Sequence, residues 1–404
     1  MAGPSSDGIS EKPSKENVDL EALVLQALAA PDRLEAIARD NGITSDQLRK
    51  WTEAYRDAGA ERLRALQARE GRLSVAMFST QAYDRADFER ALAGSESLHF
   101  RFFRERLTAE TVDLAQGFDA VCAFVNDRLD ADVLEALAHR GVGAIALRCA
   151  GFNNLDLAAA QRLGLTVTRV PGYSPEAPAE HALALILALN RKLIRSHRRV
   201  AEGNFSLHGL LGFNLYGTTV GIVGTGRIGT ALARILNGFG CRILAYDPEP
   251  NDACRDLGVR YVALDELLRA AKVVSLHCPL NSSTHYLINA EAIEKMPEGV
   301  MLINTGRGAL VDTQAVIQGL KSGQIGYLGL DVYEQEEELF FEDRSFEIIT
   351  DDVFQRLLTF PNVMITGHQG FFTRQALDAI AESVTTNLTQ IARGQSPTDA
   401  IEAR

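Results

Sequence analysis

The chain has 404 residues, 46% of them hydrophobic and 23% charged, with a formal net charge of −12. That length exceeds one ordinary core and calls for at least two domains, and the acidic excess argues against broad nucleic-acid binding by the whole molecule. No apolar run approaches the ~20 residues that span a bilayer, residues 1–19 contain no apolar signal segment, and Cys122, Cys149, Cys241, Cys254 and Cys278 follow no metal-ligand spacing. The expectation is a cytoplasmic protein with free thiols and neither a metal centre nor a membrane span.

Residues 1–19 read as a polar tail rich in Pro, Ser and Gly, too poor in apolar surface to order itself. Residues 20–70 read as helical, with no strand-like run, and resemble a helix-turn-helix. LEAIARDNG is its first helix, Gly42 its turn, and SDQLRKWTEAYR its second helix, opened by a capping box between Thr44 and Gln47. Leu34, Ile37, Ala38, Ile43, Leu48, Trp51 and Tyr55 supply a small core. Residues 16–70 hold 8 basic against 11 acidic side chains. A DNA reader presents a basic face, so the segment reads as a module for self-association or for a protein partner.

From 72 to 171, short β-branched runs (SVAMFS, FDAVCAFV, GAIALR, LTVTRV) alternate with helical patterns, which predicts a parallel α/β sheet. From 172 to 371 the alternation repeats with TVGIVG, RILAYD, VVSLHCP, MLINT, LGLDV and NVMITG. Pro and Gly near 171–177 read as a hinge, and the helical segment 373–393 is expected to return to the first unit. A long apolar helix from Pro175 to Leu193 suits either a subunit interface or a core.

Residues 218–229, TTVGIVGTGRIG, place Gly224, Gly226 and Gly229 between a buried strand and a helix. Gly224 permits the tight turn, Gly226 the approach of a pyrophosphate, and Gly229 close helix–strand packing. The helix N-terminus offers amide donors and the positive end of its dipole. Asp247 ends the next strand, 18 residues past Gly229, where a carboxylate accepts from ribose hydroxyls and repels a 2′-phosphate. The motif predicts NAD rather than NADP.

Ligands of open parallel sheets sit at the carboxyl ends of the strands. Three late strands end in Thr305-Gly306-Arg307-Gly308, in a stretch with Asp331, Glu334 and Glu336, and in His368. A nicotinamide exchanges hydride with a carbonyl carbon. Histidine suits the accompanying proton transfer, a carboxylate beside it supports its charged form, and the planar fork of an arginine grips a substrate carboxylate. Gly306 and Gly308 are expected to keep the approach to Arg307 open. The residues alone do not choose between Glu334 and Glu336.

The stretches ALRCAGFNNLDL, VPGYSPEAPAEHALALILALNR, GIVGTGRIG, LHCPLNSSTHYLIN, INTGRGALVD, LGLDVYEQE, LFFEDRS and TGHQGFFT, spread over about residues 73–393, resemble the D-isomer-specific 2-hydroxyacid dehydrogenases, and most of all their fermentative bacterial D-lactate branch. The resemblance implies an α/β fold in which a Rossmann domain (172–371) is inserted in a flavodoxin-like substrate domain (72–171 and 372–404). It implies Arg307, Glu336 and His368 as the catalytic set. Asp331 would hold the nicotinamide carboxamide, with Arg227, Ile228, Cys278, Pro279, Thr284 and Thr305 lining the cofactor. The backbone of Val125, Asn126, Ala150 and Gly151 would face the substrate carboxylate. The implied activity is reduction of pyruvate, or of a larger 2-keto acid, with NADH, in a homodimer or homotetramer. Where relatives read His-Thr-Ala-Phe this chain has His368-Gln-Gly-Phe371, which leaves the side-chain pocket open. The other reading is a regulator that senses NADH and uses the N-terminal helices to bind DNA or a partner.

Overall fold

The computed structural model describes residues 23–24, 26–27, 30, 33–53, 72–336 and 339–401. The chain divides into two compact units, Met1–Arg72 and Leu73–Arg404. The tail 1–19, Tyr55 and the end of the second N-terminal helix lie outside the described residues.

In the smaller unit, the helix Leu34–Asp40 stops at Asn41–Gly42, where Gly42 has φ +69°. Thr44 Oγ1 accepts from the Gln47 amide and Gln47 Oε1 accepts from the Thr44 amide, each at 3.2 Å, closing the capping box. Leu23, Val24, Ala27, Ile37, Ala38 and Leu48 are buried together, with Leu34, Ile43 and Trp51 against them.

The larger unit contains two parallel sheets. The first joins β1 (Leu73–Met77), β2 (Leu98–Phe102), β3 (Ala120–Ala123), β4 (Ala144–Leu147) and β5 (Thr166–Thr168) in the order β2-β1-β3-β4-β5, the flavodoxin-like order. The second joins β6 (Thr219–Val223), β7 (Arg242–Tyr246), β8 (Arg260–Tyr261), β9 (Val273–Leu276), β10 (Val300–Asn304), β11 (Ile325–Leu330) and β12 (Val363–Ile365), ordered β12-β11-β10-β9-β6-β7-β8. β3, β4, β9 and β10 are buried at every position, as strands covered by helices on both faces must be, and therefore read as unbroken apolar runs. β2 (LHFRF) and β8 (two residues) have no such run and were not among the expected strands. Both lie at sheet edges, where one neighbour is missing and polar residues are tolerated.

The helix Arg374–Ala392 buries Ile380, Ala381, Val384 and Leu388 against Val75, Met77 and Ala120 of the first sheet. Arg374 adds an ion pair to the buried Asp87. The chain thus leaves the first sheet, builds the second, and returns.

The expected helix Pro175–Leu193 is observed as Glu176–Arg191. Lys192 breaks it in the left-handed region at φ +52°, and a second helix, Leu193–Ala201, follows. Ala179, Ala182, Leu185, Ile186 and Leu189 pack on Val220, Ile222 and Ile303 of the second sheet. Its apolar face is therefore core. The exposed apolar residues begin only after the break, with Leu193, Ile194, Val200, Phe205, Leu207, Leu211 and Tyr216.

Candidate active site

The strand order reverses between β6 and β9, and a crevice opens at their carboxyl ends. After β6, Gly224 turns at φ +93°. A Cβ at Gly229 would lie 2.0 Å from the Gly224 carbonyl oxygen, whereas a Cβ at Gly226 would meet nothing within 4 Å. Gly229 therefore serves packing, and Gly226 leaves backbone open to a ligand at the start of the helix Arg227–Gly238. Asp247 Oδ2 accepts from the Thr225 amide at 2.6 Å and from Thr225 Oγ1 at 3.0 Å, and Oδ1 from the Glu249 amide at 3.0 Å. This fixes the carboxylate beside the glycine turn with lone pairs to spare for hydroxyl donors.

β10, β11 and β12 deliver the other groups to the same edge. Arg307 follows β10, and its Nη1 donates to the Gly306 carbonyl at 2.7 Å. His368 follows β12, and its Nδ1 meets Glu336 Oε1 at 2.8 Å. Glu336 Oε2 accepts from the Tyr333 amide at 3.0 Å, so the carboxylate is held from both oxygens. With Nδ1 engaged, Nε2 is left for the cavity. Glu334 bonds instead to the Tyr286 hydroxyl at 2.6 Å and to the Thr313 amide at 3.1 Å. Of the two glutamates that periodicity left open, Glu336 is the one bonded to His368.

His368 is held at φ +51°, a conformation a non-glycine residue keeps only when its surroundings impose it. Asp331 imposes it. Its carbonyl accepts from the His368 amide at 2.7 Å, and its carboxylate accepts from the Gln369 and Gly370 amides and from Thr366 Oγ1. Burial pushes the Asp331 carboxyl up, but bonds from His181 and Thr366 outweigh it and hold the group below its ordinary value. A Cβ at Gly370 would come within 2.9 Å of Asp331 Oδ2, so the Gly in His-Gln-Gly-Phe gives this carboxylate room.

The first sheet supplies the opposite wall. The turn Phe124–Asp127 follows β3, and Cys149–Gly151 follows β4. A Cβ at Gly151 would sit 1.9 Å from Arg307 Nη2, so the guanidinium lies directly against this backbone. Together the two sheets enclose a cavity of about 560 Å3 lined by Val125, Ala150, Gly151, Ile228, Cys278, Pro279, Thr305, Arg307, Asp331 and His368. Tyr173, Phe124, Phe371, Arg148, Cys149 and His277 line it too. These were not singled out from the sequence, although Tyr173 lies inside the VPGYSP stretch that carried the resemblance. Asn126 lines a smaller adjoining cavity with Glu336, Phe341 and His368. Thr305 Oγ1 is buried without a partner among the described residues, which fits a donor reserved for a ligand.

The Thr284 hydroxyl donates to the Pro279 carbonyl at 2.6 Å and accepts from the Asn281 amide at 2.9 Å, closing a turn. One expectation needs correction. Gly308 does not hold the approach to Arg307 open. A Cβ there would lie 2.1 Å from the Tyr333 carbonyl carbon, so this glycine lets the loops after β10 and β11 pack.

Cys149 and Cys278 are pushed up to about 11 by burial and stay thiols at neutral pH. Burial lowers His277 from 6.5 to about 4, and its Nε2 meets Ser275 Oγ at 2.8 Å. The unfolded chain therefore takes up this proton first, so the protein loses stability as pH falls from 6.5 towards 4. Urea denaturation at pH 7 and pH 5 should show a smaller loss for His277→Gln than for the unsubstituted protein; equal losses would assign the pH dependence elsewhere. Among the described residues no cluster of metal-ligating side chains occurs, and no helix is long and apolar enough to cross a membrane.

A nucleotide crevice beside a histidine–carboxylate pair and an arginine defines a dinucleotide-dependent oxidoreductase acting on a carboxylate-bearing carbonyl or alcohol. Residues 183–370 match the family described as D-isomer specific 2-hydroxyacid dehydrogenase, NAD binding domain. The D-lactate dehydrogenase of Escherichia coli strain K12 is 50% identical over 326 residues, 80% of this chain and 98% of that protein. Among solved structures, the pyruvate reductase of Chlamydomonas reinhardtii matches with a TM-score of 0.76 at 45% identity, covering 82% of this chain and 99% of that one. The Salmonella D-lactate dehydrogenase matches with a TM-score of 0.71 at 50% identity, covering 82% and 100%. The chain belongs to the D-isomer specific 2-hydroxyacid dehydrogenase family, and NAD is its cofactor.

Proposed function

We propose that the protein is a D-lactate dehydrogenase that reduces pyruvate with NADH. The observation that carries this reading is the His368–Glu336 pair at 2.8 Å, which lines the smaller adjoining cavity together with Arg307, Val125 and Gly151. Relatives named for D-lactate dehydrogenase and pyruvate reductase, at 45–50% identity, support it.

Gly226, in the turn that Gly224 makes and Gly229 packs, would receive the pyrophosphate, Asp247 the adenosine ribose, and Arg227, Ile228, Cys278, Pro279, Thr305 and Asp331 the remainder along the crevice. When bound, NADH supplies the hydride that reduces the keto carbon. Arg307 grips the substrate carboxylate with its fork and polarises the carbonyl. The amides of the turns at 125–126 and 150–151 complete the anion site. His368 Nε2 gives its proton to the developing alkoxide, and Glu336 orients the ring and stabilises its charged form. Phe124 and Phe371 leave room for a short apolar side chain. The substrate domain (72–171 and 372–404) and the nucleotide domain (172–371) close to exclude water.

The test is NADH oxidation with pyruvate, 2-ketobutyrate, phenylpyruvate, hydroxypyruvate, glyoxylate and oxaloacetate, repeated with NADPH, with the chirality of the product determined. Pyruvate should lead the panel, give D-lactate, and turn over poorly with NADPH. Tight NADH binding without turnover of any acid would overturn the reading. The apolar residues exposed between Leu193 and Tyr216 support a homodimer in which a second copy covers them. Sedimentation of the full chain at micromolar concentration should give a dimer or a multiple of one, and a monomer would remove this part.

A further inference from the structure

Arg148 is 1% exposed and follows β4 at the floor of the substrate cavity. Its Nη1 donates to the Phe78 carbonyl at 3.0 Å and its Nη2 to the Ser79 carbonyl at 2.7 Å. Asp84 is 3.6 Å away, and Nε has no hydrogen-bond partner among the described residues. A buried cation with an unfilled donor is a poor device for stability, since an apolar side chain of similar volume does as well or better. Its use must lie in what it holds.

Arg148 holds two things. Its guanidinium lies over the Phe124 ring, 4.5 Å from the centroid. Through Ser79 it also secures the turn that follows β3. Ser79 is kept at φ +50° while its Oγ donates to Asp127 Oδ1 at 2.6 Å, and Asp127 Oδ2 accepts from the Phe124 amide at 2.7 Å. The Phe124 ring in turn packs against Phe341 at 5.0 Å and Phe371 at 6.2 Å. Those two rings flank His368 at 5.7 Å and 6.4 Å. One buried guanidinium thus sets both the backbone turn bearing Val125 and Asn126 and the aromatic wall facing the acid/base residue.

We propose that Arg148 is a positioning residue of the substrate site: by clamping Phe124 and the turn Phe124–Asp127, it sets affinity for the keto acid and the preference for a short side chain. The inference rests on the reading of the protein as a 2-keto acid reductase. It assigns Arg148 no contact with the reacting atoms and none with the nucleotide crevice after β6.

The test is steady-state kinetics of Arg148→Met with NADH and, separately, pyruvate, 2-ketobutyrate and phenylpyruvate, beside fluorescence titration of NADH. KM for pyruvate should rise about 30-fold with kcat changed less than about threefold, as expected for lost charge-assisted hydrogen bonds behind a binding surface. The ratio of kcat/KM for pyruvate to that for 2-ketobutyrate should fall about tenfold, and NADH affinity should hold within about twofold. Phe124→Leu keeps the guanidinium and its carbonyl bonds and removes only the ring; it should relax the same ratio, and the double variant should relax it no further. Weakening of NADH binding in step with KM, or an unchanged ratio in either variant, would overturn the proposal. Should Arg148→Met fail to fold, Phe124→Leu decides alone: an unchanged ratio refutes it. The unsubstituted protein separates the two claims. If it prefers another acid to pyruvate, the D-lactate reading falls, and Arg148 is judged on the same ratios taken from the preferred acid.

Discussion

Replacing His368 with alanine should lower kcat for pyruvate reduction by about 10³-fold and leave NADH affinity within about twofold, the size of effect a positioned acid contributes. The asymmetry follows from the site's construction. His368 follows β12, separated from β6 by three strands in the order β12-β11-β10-β9-β6, whereas the glycine turn and Asp247 lie at β6 and β7. Its ring bonds only Glu336 among the described residues, so truncation removes the proposed proton donor and no element of the nucleotide crevice. The left-handed backbone at 368 is imposed by Asp331, through hydrogen bonds to the amides of His368, Gln369 and Gly370. The loop therefore keeps its shape when the ring is removed. Glu336→Gln should lose less, about 10²-fold, because an amide oxygen still accepts from Nδ1 but no longer stabilises a charged ring. Stopped-flow hydride transfer and NADH titration measured on the same preparations check both. A parallel fall in turnover and NADH affinity for His368→Ala would mean that the residue shapes the crevice instead of supplying the proton.

The parts of this architecture that rest on local pattern were legible in the sequence. Buried parallel strands announce themselves as apolar runs, and the glycine spacing states steric demands of which the tight turn at Gly224 and the close packing at Gly229 are observed. The capping box between Thr44 and Gln47 needed only four residues. What escaped depends on long-range packing. β2 carries Arg101 and His99 because its edge position tolerates them, and no local rule distinguishes such a strand from a loop. Glu334 and Glu336 are chemically identical and two residues apart; only the paths of the Tyr286, Thr313 and His368 side chains, from distant parts of the chain, separate them. Arg148 carries no local signal of burial, since burying a guanidinium is costly. It is buried because the carbonyls of Phe78 and Ser79, about 70 residues away in the chain, converge on it. Gly308 illustrates the reverse error: a glycine beside Arg307 suggests access, while the structure uses it for backbone packing with Tyr333.

Arg307→Lys should lower kcat/KM for pyruvate by about 10³-fold, although the charge is conserved. The side chain crosses from one sheet to the other: it is braced at Nη1 by the Gly306 carbonyl at 2.7 Å, and its Nη2 lies against the Gly151 backbone. A lysine ammonium is a single compact charge and cannot brace one nitrogen while offering a second, coplanar one to a carboxylate. Without the brace, the charge is free to follow solvent instead of the substrate. The same argument run from the opposite wall predicts the effect of Gly151→Ala, whose Cβ would stand 1.9 Å from Nη2 and push the guanidinium out of its seat. Both variants should raise KM and lower kcat together, because in the proposed mechanism the fork both binds the carboxylate and polarises the carbonyl. Arg307→Gln, which removes the charge as well, should be worse than Arg307→Lys by about tenfold. If lysine instead retains activity within about tenfold of the unsubstituted protein, geometry is dispensable at this position. The anion site must then be built chiefly from the backbone at 125–126 and 150–151, with residue 307 contributing only a positive potential.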